Sequence, residues 1–118
     1  MKILVADDSR VMRQIVIRTL RQAGFDGHDI VEAEDGADAL AKVGAEKPDL
    51  VLSDWNMPNM TGIECLQALR SSGSGVPFGF VTSEGTPEMR KLAEDAGARF
   101  LVSKPFTADD LEHALAGI

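Results

Sequence analysis

Cysteine, tyrosine and positive charge are scarce or absent in this chain. Among its 118 residues are one cysteine, one tryptophan and no tyrosine. A single cysteine, Cys65, cannot form an internal disulfide, which fits a reducing cytoplasm. No apolar run approaches the ~20 residues of a membrane span, and Met1-Lys2-Ile3 does not open a secretory signal. The net charge of −7 lacks the basic excess that nucleic-acid binding requires. We expect a cytoplasmic protein with no membrane insertion and no direct nucleic-acid contact.

Signals for strands and helices alternate along the whole chain. Each strand is a short, mostly apolar run, and each helix carries apolar residues at spacings of three and four. The predicted strands are Lys2–Ala6, Asp29–Ala33, Leu50–Leu52, Phe78–Thr82 and Phe100–Val102. Helices are predicted at 10–23, 36–47, 62–70, 87–96 and from 107–110 onward. This pattern predicts one α/β domain, 1–118, with a doubly wound, five-stranded parallel sheet and helices on both faces.

Local signals mark several helix ends. Ser9 is the expected N-cap of the first helix, and Gly24 is the expected C′ residue. The segment Thr61–Glu64 is a capping box, and Thr86-Pro87 fits an N-cap followed by an N1 proline. Leu92 is expected on the buried face of the fourth helix.

Acidic and basic side chains follow the apolar strands. Asp7 and Asp8 come after the first strand, Asp54 follows the third, and Lys104 follows the fifth. The carboxyl ends of parallel strands meet at one edge of a sheet, where ligands bind in open α/β folds. We therefore expect these four side chains to form a site.

Three carboxylates at one edge repel one another unless a proton or a cation joins them. No histidine or cysteine accompanies them, and oxygen ligands favour Mg²⁺ or Mn²⁺ over zinc. Such a site suits phosphoryl chemistry, in which an aspartate can itself be the nucleophile. Lys104 and the hydroxyl of Thr82 would then hold phosphoryl oxygens.

Four motifs in order carry a resemblance to a known family. They are Asp7-Asp8, Ser53-Asp54-Trp55-Asn56-Met57-Pro58, Val81-Thr82 and Lys104-Pro105-Phe106. With these motifs the chain resembles, end to end, the response-regulator receiver domain, and especially the CheY-like single-domain receivers of two-component signalling. The resemblance implies a (βα)5 flavodoxin/CheY-like fold with strand order 2-1-3-4-5.

The resemblance also implies a function for the edge cluster. Asp54 would accept a phosphoryl group from a sensor histidine kinase or phosphotransfer protein. Asp8, Asp54, the backbone carbonyl of Asn56 and, through water, Asp7 would hold Mg²⁺ (or Mn²⁺). The family acts as a switch that catalyses only its own phosphorylation and slow dephosphorylation, so we expect no separate enzymatic activity.

Further residues take implied roles in switching. Thr82 and Lys104 would bind the phosphoryl group, Lys104–Pro105 would be a cis peptide, and Asn56 and Glu84 would tune the phosphoryl lifetime. A downstream protein would bind the face formed by the fourth helix, the last strand and the final helix, with chemotaxis as the candidate pathway.

Leu101 departs from the family pattern. Receivers usually carry Tyr or Phe at this position, midway along the last strand. The adjacent Phe100 cannot substitute, because neighbouring side chains on a strand point to opposite faces. We therefore expect a less sharply two-state switch.

Three alternatives compete with this interpretation. A phosphatase of the haloacid dehalogenase type needs an acid/base aspartate two positions after the nucleophile, where Asn56 stands. A flavin or nucleotide carrier needs a phosphate-binding loop after the first strand, where Asp7-Asp8 would repel phosphate. A receiver domain excised from a longer regulator with an output domain is the third.

Two surface expectations concern the neighbours of the site. Trp55 is expected to be partly exposed and to have no chemical role. The arginines of the first helix have no acidic partner on that helix, so they form either a solvated face or a docking surface for an acidic protein. They are Arg10, Arg13, Arg18 and Arg21.

Overall fold

All five predicted strands lie in one parallel sheet. The computed structural model describes residues 1–25 and 27–116, so the end of the predicted domain, 117–118, lies outside the described residues. The strands are β1 (Lys2–Ala6), β2 (Asp29–Ala33), β3 (Leu50–Ser53), β4 (Phe78–Thr82) and β5 (Phe100–Ser103). Their order is β2-β1-β3-β4-β5 with every pairing parallel, which confirms the predicted fold class.

Helices cover both faces of the sheet. They are α1 (Arg10–Leu20), α2 (Gly36–Glu46), α3 (Gly62–Ser71), α4 (Pro87–Asp95) and α5 (Ala108–Leu115). Alternate strand residues point to opposite faces, so Leu4 belongs to the core cluster that α2, α3 and α4 cover, whereas Ile3 and Val5 belong to the cluster that α1 and α5 cover. Within the described ranges, none of the helices has the length and apolarity to cross a membrane.

The helix starts follow their local signals. Ser9 caps α1 by accepting a hydrogen bond from the Met12 N–H. The capping box Thr61–Glu64 is formed at α3, and Thr86 caps α4 with Pro87 in its first turn. A second capping box, Thr107–Asp110, starts α5 and was not predicted as one.

Two sequence expectations about the helices are wrong. The regular part of α1 ends at Leu20 and not at Ala23, because Arg21–Phe25 forms an irregular turn. Gly24 in this turn has a φ of 98°, the left-handed conformation that its expected C′ position takes. Leu92 of α4 is 50% exposed. This short helix buries Ala93, and one position along a helix rotates the side chain by about 100° away from the sheet.

Candidate functional site

The predicted site residues meet at the carboxyl edge of the sheet. Backbone hydrogen bonds continue past the strand ends, from the Asp7 N–H to the Ala33 carbonyl at 3.1 Å and from the Asp54 N–H to the Ala6 carbonyl at 2.8 Å. At the other end of the cluster, the Lys104 N–H donates to the Thr82 carbonyl at 2.7 Å. The ladder of the sheet therefore fixes where each of these side chains leaves the backbone.

Asp7, Asp8 and Asp54 form a compact group of carboxylates. Each offers one oxygen, and these oxygens lie within 4.8 Å of one another. Asp7 is buried and Asp8 is exposed, while the Asp54 side chain is 14% exposed. The group is thus open to solvent on the Asp8 side, and its donors are all hard oxygens.

A lysine lies between two of the carboxylates. Lys104 Nζ is 3.1 Å from Asp7 Oδ2 and 3.6 Å from Asp54 Oδ2, and its side chain is 14% exposed. The chain therefore supplies one cation to the acid cluster itself. The Lys104–Pro105 peptide bond is cis, as the resemblance implies.

Opposing effects act on the pKa of the Asp54 carboxyl. Burial raises the pKa of this carboxyl above its ordinary value, and the negative charge of Asp7 adds to that effect. The Lys104 ammonium and a 2.7 Å hydrogen bond from the Trp55 N–H to Asp54 Oδ1 act in the opposite direction. Added positive charge near Asp54 would therefore favour its ionised, nucleophilic form.

Thr82 is fully buried at the end of β4. Its Oγ1 accepts a hydrogen bond from the Glu84 N–H at 3.3 Å, which ties the hydroxyl to the β4–α4 loop. Glu84 Oε1 in turn accepts from Asn56 Nδ2 at 3.4 Å. The two expected tuning residues therefore touch each other at the exposed rim of the site, a pairing that their separation of 28 positions hides in the sequence.

Leu101 occupies the middle of β5, opposite Phe80 of β4. Its half-buried side chain packs with the cluster beneath α3 and α4, whereas Phe100 packs with the cluster beneath α1 and α5. Phe100 therefore faces away from the position that Leu101 fills, as strand geometry predicts.

Arg90 of α4 is a neighbour of β5 that sequence reasoning missed. It donates from Nη1 to the Leu101 carbonyl at 3.1 Å and from Nη2 to Ser103 Oγ at 3.3 Å. Nothing in the local sequence distinguishes this arginine from a solvated one, because both of its acceptors belong to the next strand.

The expected exposure of Trp55 is wrong. Its side chain is only 9% exposed and contacts Phe80 in a tilted arrangement, with ring centroids 4.8 Å apart. The residue turns inward because the β3–α3 loop folds back over the end of the sheet. The indole is thus a buried neighbour of the Asp54 backbone.

Close packing holds the end of β3 against the start of α3. The Gly62 N–H donates to the Trp55 carbonyl at 2.9 Å, and Ser53 Oγ donates to the Asp54 carbonyl at 2.7 Å. A β-carbon at Gly62 would overlap the Asp54 carbonyl oxygen. Only glycine allows this close approach. The sequence pattern identified Gly62 only as one residue of a capping box.

Arg13 of the first helix has an acidic partner on another element. Arg13 Nε is 2.9 Å from Glu32 Oε1 on β2, and Arg13 Nη1 donates to the Asp7 carbonyl at 2.7 Å. As expected, α1 itself carries no acidic partner, and Arg13 links β2 to the β1–α1 turn. Sequence patterns along α1 could not find a partner on another strand.

The order of the strands and the acid cluster at their carboxyl edge define the CheY-like class of doubly wound α/β proteins. The response regulator receiver domain family matches the chain over residues 3–116. The chain belongs to this family.

Named relatives agree with this assignment. The chain is 39% identical over 120 residues to the chemotaxis protein CheY of Pseudomonas aeruginosa, covering 100% of this chain and 95% of the relative. It is 38% identical to the chemotaxis protein CheY1 of Helicobacter pylori, covering 98% of this chain and 94% of the relative. The structure of chemotaxis protein CheY4 of Vibrio cholerae superposes with a TM-score of 0.84 at 37% identity, covering 97% of this chain and 94% of that one.

Proposed function

We propose that the protein is a phosphoacceptor response regulator in which Asp54 receives a phosphoryl group from a histidine kinase or phosphotransfer protein. This proposal rests mainly on the position of Asp54, which lies beside Asp7, Asp8 and the Lys104 ammonium at the open edge of the sheet. Membership of the receiver family supports the same assignment. The protein acts as a switch and not as an enzyme with a separate substrate.

In the proposed reaction a carboxylate oxygen of Asp54 attacks the phosphorus of a phosphohistidine. A P–O bond forms, and the P–N bond to the donor imidazole breaks. The Trp55 N–H fixes Asp54 Oδ1 and thereby orients the other oxygen. Lys104 would hold one phosphoryl oxygen, and the hydroxyl hydrogen of Thr82 would be donated to another, since Thr82 Oγ1 only accepts in its hydrogen bond with the Glu84 N–H.

The carboxylate cluster fits a divalent cation. Its donors are oxygens only, and the exposed Asp8 leaves room for water. We assign Asp8, Asp54, the backbone carbonyl of Asn56 and, through water, Asp7 as the residues that would hold Mg²⁺ (or Mn²⁺). The bound cation would offset the charge that the carboxylates share with the incoming phosphoryl group.

An apolar groove beside the site supports a docking position for the phosphodonor. It is lined by Met12 and Ile15 of α1 and by the successive residues Lys104, Pro105 and Phe106. A donor imidazole has to reach Asp54, so the donor's surface has to cover residues next to Lys104. Apolar side chains at that position would be buried by the complex.

The proposed output surface is the face formed by α4, β5 and α5. It carries the half-exposed Leu92 and a groove lined by residues of all three elements, including Leu101 and His113. A protein target fits better than a nucleic acid, since the net charge is −7. The names of the relatives suggest a chemotaxis output, and the buried thiol of Cys65 suits a cytoplasmic location.

Intact-mass measurement tests the phosphoacceptor. Acetyl phosphate with Mg²⁺ should add one phosphoryl group to the wild type and none to Asp54→Asn. Asp49→Asn is the matched control, because Asp49 is exposed and precedes the same strand at its opposite end. Persistent labelling of Asp54→Asn would place the acceptor elsewhere.

Tryptophan fluorescence tests the metal assignment separately. Trp55 is the sole tryptophan, and its backbone N–H contacts Asp54, so Mg²⁺ binding should change its emission. Asp8→Ala should weaken the response, whereas Asp49→Ala should not. Identical titration curves for wild type and Asp8→Ala would remove Asp8 from the ligand set.

A further inference from the structure

The β3–α3 loop, residues 54–61, carries two of the proposed metal ligands. Its first end is fixed by Gly62 and Ser53, which hydrogen-bond to the carbonyls of Trp55 and Asp54. Its middle is anchored by the buried side chain of Met57. The exposed Asn56, whose carbonyl is a proposed ligand, depends on these neighbours for its position.

The second end of the loop is held by the start of α2. Asp35 Oδ2 accepts a hydrogen bond from Asn59 Nδ2 at 2.8 Å, and the Gly36 N–H donates to the Met60 carbonyl at 2.9 Å. A β-carbon at Gly36 would overlap the same carbonyl. The loop therefore has two adjacent hydrogen bonds to α2, with the α2 backbone in direct contact.

Asp35 is more than a helix cap. Its Oδ1 accepts from the Asp38 N–H at 2.7 Å and so caps α2, while Oδ2 accepts from Asn59 of the loop. The residue is only 8% exposed, although it carries a charge. The hydrogen bonds from Asp38 and Asn59 hold the pKa of this carboxyl below its ordinary range, so it is ionised at neutral pH.

Asn59 has a backbone conformation that side-chain support stabilises. Its φ is 66°, in the left-handed region, which asparagine adopts more readily than most residues but less readily than glycine. A charge-assisted hydrogen bond to a buried carboxylate is stronger than a neutral one. The Asp35–Asn59 pair can therefore hold the loop in a conformation that it would otherwise leave.

From this geometry we propose that Asp35 is a positioning residue for the metal site. Through Asn59 and the adjoining Gly36–Met60 hydrogen bond, it fixes the β3–α3 loop so that Asp54 and the Asn56 carbonyl face a shared cation. This inference rests on the proposed function. The affinity of a site for its metal ion commonly falls by about 10- to 100-fold when the groups that orient the ligands are removed.

Three variants separate this role from helix capping. Asp35→Ser keeps an N-cap oxygen for the Asp38 N–H but loses the acceptor for Asn59. Asn59→Gly removes the same hydrogen bond from the other side, and glycine tolerates the positive φ. Asp38→Ser is the matched control, because Asp38 lies in the same turn and bonds to Glu34 and Lys42 but not to the loop.

Magnesium titration followed by Trp55 fluorescence is the first measurement. Asp35→Ser and Asn59→Gly should each weaken Mg²⁺ binding by about tenfold, the lower end of the effect for orienting groups. The double variant should lose no more Mg²⁺ affinity than either single variant, because the Asp35–Asn59 hydrogen bond is absent from both single variants and from the double variant. Asp38→Ser should bind Mg²⁺ like the wild type.

Amide hydrogen exchange in the metal-free protein is the second measurement. The Gly36 amide, which donates to the Met60 carbonyl, should exchange faster in both Asp35→Ser and Asn59→Gly than in the wild type. Absence of Mg²⁺ binding by the wild type would overturn the proposed function. Two outcomes would overturn the positioning role alone, provided that the wild type binds Mg²⁺. One is that both single variants bind Mg²⁺ as tightly as the wild type, and the other is that their losses of affinity add in the double variant.

Discussion

Gly62 offers a sharp test of how the phosphoacceptor strand is held. A β-carbon there would overlap the Asp54 carbonyl oxygen and would lie 2.9 Å from Phe80 Cε1 and 3.0 Å from Ser53 Oγ. None of these is the free end of a flexible side chain: one is backbone, Phe80 is fully buried, and Ser53 is itself bonded to Asp54. Gly62→Ala therefore cannot be accommodated without moving the end of β3.

The cost can be estimated from its parts. Overpacking of this kind destabilises by about 1–3 kcal/mol, and the gain in helix propensity from glycine to alanine offsets at most about 1 kcal/mol. A net loss of about 1–2 kcal/mol corresponds to a melting temperature roughly 4–8 °C lower in a domain of this size. Because the displaced carbonyl belongs to Asp54, phosphorylation by acetyl phosphate should also slow by about tenfold or more.

Gly44→Ala is the matched control. Gly44 lies inside α2, and a β-carbon there would meet nothing within 4 Å. This substitution should raise the melting temperature by a few degrees, since helix propensity improves by up to about 1 kcal/mol without any clash, and should leave phosphorylation unchanged. Calorimetry and timed intact-mass measurements on both variants decide the matter. A Gly62→Ala protein that melts at or above the wild type would refute the argument from close approach.

Two further predictions concern the switch. Lys104→Met should still be phosphorylated, but its chemical-shift response at Thr82–Thr86 should be much weaker, and the pKa of Asp54 should rise further because the neighbouring positive charge is gone; a wild-type response by NMR would contradict the role of Lys104. A complete shift of the switch from 1:99 to 99:1 needs about 5.5 kcal/mol of differential stabilisation between its two states. Leu101 lacks a ring with distinct inward and outward states, so it contributes less to this difference than an aromatic residue would. The active-like surface should therefore be partly populated before phosphorylation. Relaxation-dispersion NMR with and without beryllofluoride should show more complete switching in Leu101→Tyr, and equal switching would remove Leu101 as the weak point.

Local chemistry was enough to predict the strands, the fold class and the edge that carries the site. Neighbouring residues alone identify the apolar run that ends at Asp54 between Pro48 and Pro58, and the capping box at Thr61–Glu64. Such signals act through backbone geometry and hydrogen bonds over a few positions, so they can be recognised without knowledge of the fold. The placement of Asp7 and Asp54 at one edge followed from the parallel arrangement of the strands.

Packing between distant segments determined the rest. Lys104 reaches Asp7 across 97 positions, and Arg13 finds Glu32 on another strand. Trp55 becomes a core residue because the β3–α3 loop folds inward, a change that its polar neighbours in the sequence did not indicate. Asp35 meets Asn59 for a similar reason, because the sheet places the β3–α3 loop beside the start of α2. Contacts of this kind depend on the relative positions of whole elements, which residue patterns along a single element do not contain.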